Sequence, residues 1–149
     1  MQNASRPTGH RSRLAILACL IVLAAMVAPA KDGRDFAGFY AVNNVTDLGE
    51  EVRVTLTVRV YNYSDADVTG ATITLEDSLL PDKTYGSFTL VSIRDRESVR
   101  LSGDFTIPRR EYDQWQEGDT PQLRIEFKDA AGNTVERLIE LAPMPVEEE

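Results

Sequence analysis

Residues 52–60 read Val-Arg-Val-Thr-Leu-Thr-Val-Arg-Val, with an aliphatic side chain at every even position and a polar one at every odd position. Successive side chains of a β-strand point to opposite faces, so this alternation predicts a strand with one buried face and one solvated face. A helix would scatter the same aliphatic side chains around its circumference. The richness in valine and threonine also favours the strand.

The same alternation recurs along the chain and predicts about seven short strands. The further segments are 71–75, 99–107, 123–127 and 135–141, with weaker candidates at 39–45 and 87–93. Residues 129–133, Asp-Ala-Ala-Gly-Asn, predict a hairpin, whereas residues 108–119 break the alternation and predict a short helical crossover. Short strands with one-sided burial pack as two sheets, so the predicted fold is all-β, an immunoglobulin-like antiparallel β-sandwich.

The N-terminus differs from the rest of the chain. Arg6, Arg11 and Arg13 precede an unbroken apolar run over residues 14–27, which ends at Ala-Pro-Ala. This pattern predicts a signal peptide over residues 1–30, cleaved before Lys31. The apolar run is shorter than the roughly 20 residues that span a bilayer. A retained membrane anchor stays open as the alternative, because residues 28–30 could extend the run.

Cleavage would leave a β-sandwich over residues 31–142 and an acidic, disordered tail over residues 143–149, exported to the periplasm or the cell exterior. It would also remove the single histidine, His10, and the single cysteine, Cys19. Three of the 16 basic residues would be lost, leaving 13 against 24 acidic residues and a net charge of −11. So acidic a domain disfavours nucleic acid and anionic lipid as partners.

The loss of histidine and cysteine bears on catalysis. Ser–His and Cys–His nucleophile pairs, and zinc sites built on those ligands, are excluded from the exported domain. The carboxylates Glu111 and Asp113 near Trp115 remain as acid–base candidates, although acids in an exposed turn are usually only solvated. We therefore expect a non-catalytic protein.

No cofactor is expected, but the loops hold acidic side chains that could bind calcium. Ca²⁺ takes six to eight oxygen ligands, and exported β-sandwiches sometimes supply them from loop ends. The spacing of an EF-hand is absent, and aspartate and asparagine favour turns for their own reasons. The candidate ligands are Asp65, Asp67, Asp104, Asp119, Asp129 and Asn133.

Aromatic and arginine side chains give the main candidate for a binding site. Such residues dominate the energetics of protein interfaces. Tyr61 falls on the polar positions of its strand, which predicts an exposed ring. The structural alternative is that Trp115 closes one end of the sandwich and that Tyr112 forms a corner hydrogen bond. The candidate partner-binding residues are Tyr61, Tyr63, Arg109, Arg110, Tyr112 and Trp115.

Two segments resemble a known family. Residues 58–64, Val-Arg-Val-Tyr-Asn-Tyr-Ser, resemble the second strand of bacterial immunoglobulin-like and fibronectin-type-III-like exported domains, including the CARDB adhesion type. Residues 127–133 resemble their final hairpin. The resemblance implies a binding, adhesion or assembly module that contacts a protein or cell-envelope partner. A carbohydrate-binding accessory domain with exposed aromatic rings is the alternative, and fold alone does not decide between them.

Overall fold

The computed structural model describes residues 35–145. The predicted signal peptide and residues 146–149 of the predicted tail lie outside the described residues. Within residues 35–145 the elements in chain order are β1 (Phe36–Asp47), β2 (Glu51–Asn62), β3 (Val68–Glu76), β4 (Thr84–Ile93), β5 (Ser98–Pro108), α1 (Arg109–Glu117), β6 (Gln122–Lys128), β7 (Thr134–Glu140) and β8 (Ala142–Pro143).

The strands form two sheets. The first sheet has the order β5-β2-β1-β8 and the second has the order β4-β3-β6-β7. Every neighbouring pair is antiparallel except β1 and β8, which are parallel. Strands β1, β2 and β5 correspond in order to A, B and E of an immunoglobulin-like sandwich, and β4, β3, β6 and β7 correspond to C′, C, F and G. The predicted fold class is confirmed.

The core lies between the two sheets and is built from the alternating positions. The aliphatic side chains at positions 52, 54, 56, 58 and 60 of β2 are at most 1% exposed. They share one core with Ile73 and Leu75 of β3 and with Leu123 and Ile125 of β6. Full burial of one such side chain contributes about 1.5–3 kcal/mol. The alternation in residues 52–60 therefore predicts the buried face correctly.

Strand β4 was a weak candidate because its alternation is interrupted. Phe88 pairs with Ile73, and Val91 pairs with Ala71, so three steps along β4 oppose two along β3. The extra residue forms a β-bulge, in which Leu90 has a φ of 56°. A bulge moves the inward side chains from even to odd positions, which hides the period-two pattern in the sequence.

The predicted helical crossover is also confirmed. Helix α1 follows Pro108 and carries the chain from β5 in the first sheet to β6 in the second. It ends at Gly118, which has a φ of 113° and donates its backbone N–H to the Gln114 carbonyl. Glycine adopts this left-handed conformation at little cost, so the helix stops there.

The C-terminal strands hold one polar side chain at an inward position. Arg137 shares the positions of the core residues of β7, but its Nε lies 3.3 Å from Oδ2 of Asp35 beside β1. The short strand β8 was not predicted. After it, the Met144 N–H donates to the Tyr40 carbonyl at 2.8 Å. Residues 143–145 of the predicted tail therefore lie against the first sheet.

Candidate functional site

The outer face of the first sheet carries a row of aromatic rings. Tyr61 lies on an outward position of β2, and Tyr63 follows two residues later, just after the strand ends. Their rings are parallel, with centroids 6.0 Å apart and planes at 4°. Phe39 of β1 packs edge-on against Tyr61 at 5.9 Å. Tyr63 is 46% exposed, so the row reaches solvent.

Two arginine side chains lie next to this row. Arg59 of β2 is directly opposite Arg100 of β5 in the antiparallel register, and Phe39 is directly opposite Arg59 on the other side. Facing residues of an antiparallel pair have Cα atoms about 5 Å apart. Like charges in such positions destabilise a sheet. The two arginine side chains therefore repel each other and locally destabilise the first sheet.

The two arginines have no partner among the described residues. Five other arginines of residues 35–145 form ion pairs with carboxylates: Arg96, Arg109, Arg110, Arg124 and Arg137. The side chains of Arg59 and Arg100 have neither a hydrogen bond nor an ion pair within the described part of the chain. Their guanidinium groups are therefore free to bind an anion.

These side chains border a shallow groove of about 350 Å³. Its remaining wall comes from the segment after β8. We call it the Arg59 groove; it is lined by Phe39, Arg59, Tyr61, Arg100, Met144 and Pro145. Beside it, Asn43 Nδ2 donates to Thr57 Oγ1 at 2.6 Å, and the Thr57 and Ser102 hydroxyls are 3.1 Å apart. These hydrogen bonds join three strands and give the groove a firm border.

The structure brings together only some of the six predicted partner-binding residues. Tyr61 and Tyr63 lie side by side at the groove. The remaining four belong to α1, which begins where Pro108 pairs with Glu51 at the other end of β2. At a rise of about 3.4 Å per residue, the two ends of the 12-residue strand β2 are roughly 37 Å apart. The six residues therefore do not form one surface.

The helix residues among them have structural contacts. Arg109 pairs with Asp47 and donates its Nε to the Gly49 carbonyl at 2.7 Å. Trp115 is only 4% exposed and packs near Tyr40, with ring centroids 6.4 Å apart. Tyr112 is half-buried against the core. These contacts fix α1 on the end of the sandwich.

Two buried carboxylates anchor the same helix, and one of them, Glu111, is an acid–base candidate from the sequence. Glu111 is fully buried and accepts hydrogen bonds from Trp115 Nε1, Ser78 N and Ser78 Oγ, each at 3.1 Å. Asp113, the other acid–base candidate, is exposed. The two therefore do not face each other across a cleft.

Asp77 is the second buried carboxylate. Burial alone would raise its pKa, but hydrogen bonds from Tyr85, Arg110 and the backbone N–H groups of Leu79 and Leu80 outweigh that effect and hold the pKa below its ordinary value. Burial, together with the hydrogen bond to Asp77, raises the pKa of Tyr85. Asp77 is therefore a charged acceptor that joins the β3–β4 loop to α1.

The candidate calcium ligands are spread over the fold: Asp65 and Asp67 lie in the β2–β3 loop, Asp104 in β5, Asp119 between α1 and β6, and Asp129 and Asn133 in the β6–β7 hairpin. Asp67 accepts the Asp95 N–H at 2.8 Å, and Asp104 accepts the Thr55 hydroxyl at 2.6 Å. Asp129 accepts the backbone N–H groups of Ala131 and Asn133 within its own hairpin. No group of three histidine, cysteine or acidic side chains in residues 35–145 could hold a metal ion.

Sequence reasoning missed Phe39, Arg59, Arg100 and Met144. The positions of Arg59 and Arg100 on the polar sides of β2 and β5 could have placed each on an outer face. Their direct opposition depends on the β2–β5 register, which the sequence does not reveal. Met144 lies in the segment that the sequence predicts to be a disordered tail.

No family model matches the chain, and no curated protein matches it. Among solved structures, Northeast Structural Genomics Consortium target SoR45 is similar, with 9% identity, a TM-score of 0.40 and coverage of 76% of this chain and 88% of that one. A GH20 exo-β-N-acetylglucosaminidase from Vibrio harveyi is 18% identical, with a TM-score of 0.41 and coverage of 76% and 19%. At these TM-scores the similarity carries no argument about function. Within residues 35–145 no helix is long and apolar enough to cross a membrane.

Proposed function

We propose that this chain is an exported, non-catalytic binding or assembly module that contacts a protein or cell-envelope partner through the outer face of the first sheet. The observation that supports this proposal is the Arg59 groove, where a row of aromatic rings lies next to two arginine side chains without a partner. Tyrosine and arginine are enriched among the residues that dominate interface energetics. Export rests on the apolar run of residues 14–27.

The order of the strands supports a finer proposal about family. The A-B-E and C′-C-F-G arrangement is compatible with the fibronectin-type-III-like and CARDB-type exported domains that residues 58–64 and 127–133 resemble. Such domains act as adhesion or spacer modules. A role in contact rather than catalysis is consistent with the use of Asp77 and Glu111 as buried hydrogen-bond acceptors.

The second candidate function is carbohydrate binding by Tyr61 and Tyr63. The exposure of Tyr63 favours it, because a sugar ring can stack on a free aromatic face. Tyr61 offers less, because both Phe39 and Tyr63 pack against its ring. A protein partner fits these engaged rings better than a stacked sugar does.

The test is capture of a partner from envelope extract on immobilised protein, followed by identification of what is retained. The variant is Tyr61→Ala/Tyr63→Ala, and the matched control is Leu138→Ser, which changes a side chain that is 50% exposed on the other sheet. We expect one protein to be retained by the wild type and the control and to be lost from the tyrosine variant. Equal thermal unfolding must be shown for all three proteins.

Retention of the same protein by the tyrosine variant would contradict the proposal, because the binding face would then lie elsewhere. Retention of polysaccharide instead of protein, with loss in the tyrosine variant, would favour the carbohydrate alternative.

A further inference from the structure

The unpaired arginines stand out in a chain of this charge. The sequence has 24 acidic and 16 basic residues, so a surface arginine has many potential partners. Four arginines of residues 35–145 nevertheless have side chains with neither a hydrogen bond nor an ion pair: Arg53, Arg59, Arg94 and Arg100. Only Arg59 and Arg100 are directly opposite each other and border one groove. An anion between them would offset the repulsion that the strand register imposes.

The chemistry of the groove narrows the choice of anion. A guanidinium group is planar and presents paired donors that match a carboxylate with two parallel hydrogen bonds. The other lining side chains, Phe39, Tyr61, Met144 and Pro145, are mainly apolar. A ligand that fills the groove therefore needs a carboxylate beside an apolar group.

The aromatic contacts favour protein over polysaccharide as the source of that carboxylate. An acidic sugar would use a free ring face for stacking, but the two rings that line the groove, Phe39 and Tyr61, pack on each other, and the exposed ring of Tyr63 is not among the lining residues. A peptide in which glutamate or aspartate neighbours leucine or valine needs no free ring face. Its carboxylates match the two arginines of the groove, and its apolar side chain matches the apolar lining residues.

We infer that the Arg59 groove binds an acidic segment of a partner protein, with one or two carboxylates held between Arg59 and Arg100 and an apolar side chain against Phe39 and Met144. The inference deepens the proposed function and rests on it. It specifies the ligand as an acidic peptide and the decisive residues as the two arginines rather than the tyrosines.

The test uses a fluorescein-labelled peptide, Leu-Glu-Glu-Leu-Glu-Glu, and fluorescence anisotropy with the full chain. The counterpart peptide has glutamine in place of each glutamate, and tetragalacturonate serves as the acidic sugar. The variant is Arg59→Gln/Arg100→Gln. The matched control is Arg53→Gln/Arg94→Gln, which removes two unpaired arginines outside the groove and changes the net charge equally.

We expect the glutamate peptide to bind the wild type and the control with equal Kd, and the groove variant to bind it roughly tenfold or more weakly, because each charge-assisted hydrogen bond is worth about tenfold in affinity. Added salt should weaken the binding, since exposed charges are screened. The glutamine peptide should not bind. Equal weakening in the control would overturn the inference, because only net charge would then matter, and preferential binding of tetragalacturonate would overturn it in favour of an acidic sugar.

The two proposals fail in different ways. A partner that is lost from Tyr61→Ala/Tyr63→Ala but kept by Arg59→Gln/Arg100→Gln would overturn the acidic-peptide inference and leave the binding function in place. A partner that both variants keep would overturn both proposals.

Discussion

The side chain of Asn62 determines how β2 ends, and its removal gives the sharpest test of the structure. Asn62 is fully buried. Its Nδ2 donates to the carbonyls of Ala66, at 2.7 Å, and Ile93, at 3.0 Å. Its Oδ1 accepts from Ser64 N and Oγ, at 2.9 and 2.7 Å. One side chain therefore joins the β2–β3 loop to the end of β4.

The loss of unfolding free energy in Asn62→Ala depends on which hydrogen-bond partners of Asn62 can bind water instead. In Asn62→Ala, the Ile93 carbonyl loses a buried hydrogen bond, which costs about 1–3 kcal/mol. Ala66 is exposed and its carbonyl keeps the Ser64 hydroxyl at 3.1 Å, so its loss is smaller. We expect the free energy of unfolding to fall by about 2–4 kcal/mol and the Tm by about 10 °C. Asn62→Asp should cost more at pH 7, because it places a carboxylate against two carbonyl oxygens.

The assay is urea unfolding followed by circular dichroism, with Asn44→Ala as the control because Asn44 is an exposed asparagine of β1. The control should change the free energy of unfolding by less than about 0.5 kcal/mol. A loss in Asn62→Ala no larger than in the control would refute the reasoning, since the four hydrogen bonds would then contribute nothing. For Asn62→Asp we also expect partial recovery as the pH falls and the introduced carboxyl becomes protonated.

Three further predictions concern stability. The pKa of Asp77 lies below its ordinary value of 3.8. Its contribution to the free energy of unfolding is therefore present above about pH 4 and is lost as the pH falls through the lower folded-state pKa. Asp77→Asn should flatten the pH dependence of the free energy of unfolding in urea titrations, and an unchanged pH dependence would contradict the assignment. Gly38→Ala should cost about 1–3 kcal/mol, because the added Cβ would overlap Leu141 Cδ2. Leu141→Ala should recover part of that loss in a double-mutant cycle, and additive losses would argue against the contact. Leu90→Asn should raise the free energy of unfolding by about 1 kcal/mol, because Leu90 has a φ of 56° and is 84% exposed, and a lower Tm in calorimetry would show that the bulge needs leucine.

The candidate site was predictable only in part. Tyr61 lies on the outer face, as its odd position in β2 predicts. Arg109 lies at the other end of the sheet, because the chain travels the length of β5 before α1 begins. The prediction groups Arg109 with Tyr61 and Tyr63, but whether these residues lie close together depends on the tertiary fold. The Arg59–Arg100 pair joins positions that are 41 residues apart in the chain, and a single sequence carries no record of that register.

The sequence by itself determined the local structure wherever a strand keeps its period of two. In residues 52–60 the alternation of valine with arginine and threonine specifies both the strand and its buried face, because burial follows from side-chain polarity alone. Pro108 and Gly118 bracket the helix for equally local reasons, a fixed φ at one end and a left-handed conformation at the other.

Only the tertiary structure decided which residues face each other across strands, because that depends on the strand registers and on the β-bulges. The extra residue near Asn43 in β1, like the bulge at Leu90 in β4, shifts the inward positions and conceals the pattern. The pairing of Phe39, Arg59 and Arg100 across three strands then depends on how those strands align. Backbone hydrogen bonds are the same for every residue type, so they do not select one register over another. Turn lengths, bulges and the packing of the two sheets select it together, and the Arg59 groove is a product of that register.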